Sequence, residues 1–278
     1  MSGDLLLPEQ ILLTFGANHA FDIVIRHLTE LGDTVLVDDP GYYPLFGKLR
    51  LARVRAVGVR RLPDGPDPDD LEAKLAEFRP KAFFTQSLAH NPTGGTLTRC
   101  RASRGARRRA AWHDDRGMRP FRRYPAGRQP RLAALDGLQR VISVGTFSKT
   151  LSASLRVGYV AAAPSVVEAL NDLKMLTVVS TSSFAEQFIA HLINGGHYLR
   201  HLRRLRSRID TATATAVANM AAAGWHVRCR PEAASTSGSR FRRASTRRIC
   251  ATAPRHREFF WRLARSFARA GPVAGIPR

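Results

Sequence analysis

One lysine of this chain stands where an amine nucleophile could work. Lys149 lies in the run GTFSKTLSASLRVGY, residues 145–159, among Thr146, Ser148 and Thr150 and seven positions before Arg156. A lysine amine forms Schiff bases with carbonyl compounds, and hydroxyls beside a guanidinium can hold a phosphate. Taken alone, a lysine between serines and threonines is an ordinary solvated surface residue, so its companions carry the weight.

Three companions precede it. The stretch ILLTFGANHAFDIVIRHL reads as a strand over 11–15, then Gly16, then a helix with Phe21, Val24, Ile25 and Leu28 at helical spacing. Such a junction leaves backbone NH groups facing an anion, which makes Gly16, Ala17 and Asn18 candidates for a phosphate cradle. DDPGYYPLF, residues 38–46, follows an apolar strand over 34–37 and sets Tyr42 and Tyr43 at a Pro-Gly turn. HNPTGG, residues 90–95, follows the strand-like run 82–85 and sets Asn91 in a second turn. Singly, each has a bland reading: a common α/β turn, an aromatic packing on its own loop, an asparagine capping its own backbone.

The elements that must position these residues alternate. Apolar strands near Val35, Phe83, Val141 and Val157 are separated by helix-like stretches, which predicts a mainly parallel sheet covered by helices. After Pro164, Val167, Leu170, Leu173 and Leu176 share one helix face. A long helix is predicted from His197 to Met220, its arginines forming a solvated face.

A length of 278 residues suits one large or two modest domains. No apolar run reaches the roughly 18 residues of a membrane span and no leader is evident, so a cytoplasmic protein is expected. The formal charge of +22 would suggest a polyanionic partner, but its distribution argues against nucleic acid. Residues 99–131 hold 12 arginines and two aspartates, and residues 228–278 hold 13 arginines and two glutamates. The rest of the chain is balanced, with 19 basic and 18 acidic residues. Cys100, Cys229 and Cys250 all fall in the two arginine-rich segments, so neither a disulfide framework nor a metal site is expected. Neither segment has the apolar periodicity that offsets the entropy of ordering, which places both outside the expected core.

In kind and order, these motifs resemble the fold-type I pyridoxal-phosphate (PLP) enzymes of aminotransferase class I/II. They are most similar to the aminotransferase-like domains of the MocR branch of GntR-type regulators. FGKLRLARVRAVGV, FFTQSLAHNPTGG and FSKTLSASLRVGY carry the resemblance, which covers residues 9–98 and 130–226. It implies an α/β, aspartate aminotransferase-like large domain with a mainly parallel sheet over 1–196, and a remnant α+β small domain over 197–278. It further implies PLP on Lys149, the ring stacked on Tyr42, its hydroxyl bonded by Asn91, and its phosphate held by Gly16, Ala17, Asn18, Thr146 and Arg156. The implied reaction is amino transfer between an amino acid and a 2-oxo acid by a homodimer. The alternative is a PLP-binding effector domain of a regulator lacking its DNA-binding head.

The departures are as specific. In the resembled family an aspartate faces the pyridine nitrogen, but Asp114 and Asp115 lack strand context, and the arginine for the substrate carboxylate has no counterpart in the tail. Both arginine-rich segments are expected to be translated out of frame, since synonymous codons read one nucleotide on over 99–129, and two nucleotides on over the tail, can spell family-like text. Turnover by this chain is therefore expected to be very slow or undetectable.

Overall fold

The strand that leads to Lys149 is buried on both faces. All six residues of β7 (Val141–Thr146) are buried, so helices must cover the sheet on either side. The computed structural model of the chain describes residues 6–97, 110–114 and 132–224. Most of the first arginine-rich segment, all of the second, and the α+β unit expected over 197–278 from residue 225 on lie outside the described residues.

The remaining strands are β1 (Ile11–Thr14), β2 (Thr34–Asp39), β3 (Arg55–Leu62), β4 (Gly65–Pro66), β5 (Phe83–Gln86), β6 (Ala110–Asp114) and β8 (Gly158–Ala161). They form one sheet in the order β1-β8-β7-β6-β5-β2-β3-β4. The five from β7 to β3 run parallel, β8 is antiparallel to both β7 and β1, and β4 is antiparallel to β3. This is the mainly parallel α/β sheet the sequence predicts.

Alternation along each strand splits the core. Val35, Val37, Phe84, Ile142 and Val144 face one side, against α1 (Gly16–Leu28), α2 (Tyr43–Leu51) and α5 (Pro164–Val178). Leu36 and Phe83 face the other side, against Leu71 and Leu75 of α3 (Pro68–Phe78). Val141 and Tyr159 meet α4 (Leu132–Asp136), α6 (Ser183–Asn194) and Tyr198 of α7 (His197–Ala222). Asp67 caps α3, its Oδ1 accepting from Asp69 N at 3.1 Å, and Ser182 caps α6.

Two expectations need correction. Part of the first arginine-rich segment lies inside the sheet: β6 pairs parallel with β5 and β7, from Ala110 opposite Phe83 and Val141 to Asp114 opposite Gly145. Five residues between two paired neighbours are held by backbone bonds, and so short a strand shows no period among arginines. On α5, Val167 and Leu170 are buried and Leu173 packs on the core, but Leu176 is 85% exposed, because the helix runs on past the sheet that its first turns cover.

Candidate active site

The topology carries every singled-out residue to one edge of the sheet. Parallel strands end there, and ligands of open α/β sheets bind at such an edge. Gly16 follows β1, Tyr42 follows β2, Asn91 follows β5, and Lys149 follows β7. Arg156 precedes β8, whose first residue Gly158 pairs with both Thr14 and Thr146, so the antiparallel strand begins at the edge where β1 and β7 end.

The α1 end of the site gathers backbone NH groups and a cation. Gly16 takes a φ of +70°, open to glycine, and begins α1 with Ala17 and Asn18, whose NH groups have no acceptor within the helix. Arg156 Nη2 donates to the Phe15 carbonyl at 3.1 Å, setting a cation beside those NH groups. The next NH back, that of Phe15, donates to His19 Nδ1 at 3.2 Å. The proton of His19 is then on Nε2, 3.3 Å from Thr177 Oγ1, and burial lowers the pKa of the ring, in keeping with a neutral imidazole.

The lysine turn is fixed from within and from outside. Thr146 is buried, its Oγ1 accepting from Ser148 N at 3.2 Å, while Leu151 N donates to the Phe147 carbonyl at 2.8 Å. Lys149 itself is exposed. From α7, buried Tyr198 places its hydroxyl 2.8 Å from Thr150 Oγ1 and its ring edge-on to Phe147, with centroids 5.6 Å apart. His201 Nε2 donates to the Thr150 carbonyl at 2.9 Å.

On the far side of the edge, Tyr42 is half-buried and tilted against Phe21, with ring centroids 6.4 Å apart, while its neighbour Tyr43 is exposed. Asn91 is half-buried, and its NH donates to Gln86 Oε1 at 2.9 Å. Asp114 ends β6, between the strands that lead to Asn91 and Lys149. Sequence alone sets Asp114 aside for want of strand context, and the apolar run Ala-Ala-Trp amid arginines is the signal of that strand. The sequence reading missed a buried Asp38–Arg61 pair beneath the Tyr42 and Asn91 turns, joined at 2.8 Å. Strand parity was the signal there, since Arg61 shares a face of β3 with buried Val57 and Val59. Among the described residues no group of three or more His, Cys, Asp or Glu is arranged to hold a metal ion.

A doubly covered, mainly parallel sheet thus gathers a lysine turn, a glycine-led helix start and two further turns at one edge. The chain belongs to the aminotransferase class I and II family, whose profile matches residues 4–101 and 120–244 and so runs into parts of both arginine-rich segments. It is 31% identical over 210 residues to the 2-aminoadipate transaminase of Thermus thermophilus, covering 72% of this chain and 51% of that protein. It is 29% identical over 202 residues to the probable rhizopine catabolism regulatory protein MocR of Rhizobium meliloti, covering 72% of this chain and 40% of that one. The chain thus spans about half the length of the curated relatives it matches. Among solved structures it is similar to the α-aminoadipate aminotransferase of Thermus thermophilus complexed with N-(5'-phosphopyridoxyl)-L-leucine. The TM-score is 0.67 at 26% identity, over 76% of this chain and 57% of that one. A multiple substrate aminotransferase from Thermococcus profundus shares the fold, with a TM-score of 0.69 at 22% identity over 84% of this chain.

Proposed function

We propose that this chain carries the PLP-binding half of an aminotransferase and that Lys149 is the residue to which the cofactor attaches. The observation that supports this best is the convergence of Arg156 and the Gly16 turn with the lysine turn. A Cβ added at Gly16 would come within 3.3 Å of Arg156 Nη2, so the guanidinium stands directly against the helix start and a side chain at residue 16 would press on it. That donor set fits a phosphate ester, and a nearby exposed amine fits its aldehyde.

Bound PLP would supply an electron sink for a carbanion at the substrate α-carbon. The chain's own groups divide the remaining work. The NH groups of Gly16, Ala17 and Asn18, with Arg156 and Thr146, would hold the phosphate. Tyr42 would pack on the ring, Asn91 would bond its hydroxyl, and Asp114 is the carboxylate we assign to the pyridine nitrogen from its place at the end of β6. Lys149 Nζ, as a free amine, would take the substrate α-proton and return it. An amino acid and a 2-oxo acid are the proposed substrates, and a homodimer the proposed assembly. We place the cofactor-binding unit at residues 1–196, with a second unit from residue 197. Among the described residues no helix is long and apolar enough to cross a membrane, and a cytoplasmic location is proposed.

The likeness to MocR favours a second reading, in which the same site binds PLP as the effector domain of a regulator without turnover. The test of cofactor attachment is borohydride reduction of the protein with PLP, followed by peptide mapping. The label is expected on Lys149 and lost in Lys149→Ala, and an unchanged label in that variant refutes the assignment. Amino transfer to 2-oxoglutarate then separates enzyme from effector domain.

A further inference from the structure

Three ionisable side chains lie sealed beneath the Tyr42 and Asn91 turns, outside the roles assigned above. The Arg61 side chain has no exposed surface and that of Asp38 has 4%. Arg61 Nη1 donates to Asp38 Oδ2 at 2.8 Å and to Thr85 Oγ1 at 3.0 Å, and its Nη2 donates to the Gln86 carbonyl at 2.8 Å. Asp38 Oδ2 also accepts from Gln86 N at 3.1 Å and lies 3.4 Å from His90 Nε2. His90 Nδ1 is 2.8 Å from Thr93 Oγ1, and Gln86 Oε1 accepts from Asn91 N at 2.9 Å.

These bonds tie two turns that are far apart in sequence. Asp38 stands just before Pro40-Gly41-Tyr42, while Gln86 and His90 bracket the approach to Asn91. Asp38 Oδ1 and Arg61 Nε have no partner among the described residues, and Asp38, Tyr42, Gln86 and His90 help line a cavity of about 20 Å³, room for one water. Apolar residues of similar volume in place of a buried ion pair are often as stable or more so. Directional bonds to both turns are what an apolar substitute would not supply.

We propose that Arg61, with Asp38 and His90, is a positioning clamp that locks the Tyr42 turn to the Asn91 turn, so that the two cofactor-facing side chains keep one geometry. The functional part of this rests on the proposed cofactor reading, whereas the clamp itself can be tested without cofactor.

The experiment is amide hydrogen exchange on the full chain, with and without PLP, for wild type, Arg61→Met and the double variant Asp38→Asn/Arg61→Met. Reporters are the amides of Leu45 in one turn, bonded to the Tyr42 carbonyl, and of Asn91 and Gly94 in the other. In Arg61→Met both sets are expected to exchange about tenfold faster together, while α1 keeps its wild-type rates. The double variant, which removes the stranded charge as well, should recover part of the loss. Affinity for PLP should fall and recover in parallel. Loosening of only one turn, or a uniform rise across the chain, overturns the clamp. Should Arg61→Met not fold, Arg61→Lys, which keeps the charge without the fork, is read by the same criteria, and wild-type rates in both turns overturn the proposal. Wild-type protein that binds no PLP defeats the cofactor reading alone, and the exchange result still decides the clamp.

Discussion

Gly16 shows how much of the site hangs on single positions. Its φ of +70° costs an alanine about 1–2 kcal/mol, and the added methyl would press on the Arg156 guanidinium. Gly16→Ala is therefore expected to weaken PLP binding more than it lowers thermal stability, as titration beside thermal unfolding would show; an unchanged affinity contradicts the cradle. His90 and Asp38 set the acid limit. Burial pushes His90 below its ordinary 6.5 against the pull of Asp38. Burial also opposes the charge on Asp38, but Arg61 and His90 outweigh it and hold the carboxyl below its ordinary 3.8. Both depressed values mean that the unfolded chain binds more protons, so stability should fall as pH drops below about 6.5, and again below about 3.8 as Asp38 of the unfolded chain takes up its proton. Denaturant unfolding over that range checks the sign, which His90→Gln should blunt in the upper step. That Lys149, Arg156, Asn91 and Tyr42 could meet was legible because short local motifs at strand ends carry them. Arg61 was not, because its partners come from β2 and the segment after β5, and only the folded sheet brings them within reach.

At the scale of elements, the link between α7 and the lysine turn is the most consequential contact. Tyr198→Phe removes the hydroxyl that meets Thr150 and keeps the ring against Phe147, for an expected loss of about 0.5–1.5 kcal/mol. Tyr198→Ala also empties a buried ring site and should cost about 3–5 kcal/mol, a difference that thermal unfolding resolves. If the turn also orients Lys149, Tyr198→Phe should slow borohydride labelling at saturating PLP. The strands flanking the site were readable from sequence because β2 and β7 are buried on both faces, which leaves apolar-rich stretches such as Val35-Leu36-Val37 and Val141-Ile142. β6 was hidden by its arginine-dense surroundings, and the outward turn of Leu176 depends on where the sheet stops beneath α5, which helix periodicity does not encode.

For the whole molecule, the charge excess and the family match pull in different directions. The arginines concentrate in 99–131 and 228–278, yet the family profile reaches into both segments, and five residues of the first complete the sheet. If the segments are out of frame, the gene should show compensating single-nucleotide changes flanking 99–129, and one change near Val227. An intact frame across both points refutes that account. The long helix α7 bears on the same question from the other end. Its first turn is docked through Tyr198, while Arg200, Arg203, Arg204 and Arg208 along it are exposed. With about 1.5 Å of rise per residue, Ala222 stands about 36 Å from Tyr198, so a tilt of about 5° at the docked end sweeps the far end through about 3 Å. Should the helix pivot at its docked end, it would act as a lever on the turn that carries Lys149, and whatever held its far end would gain a mechanical advantage over that turn.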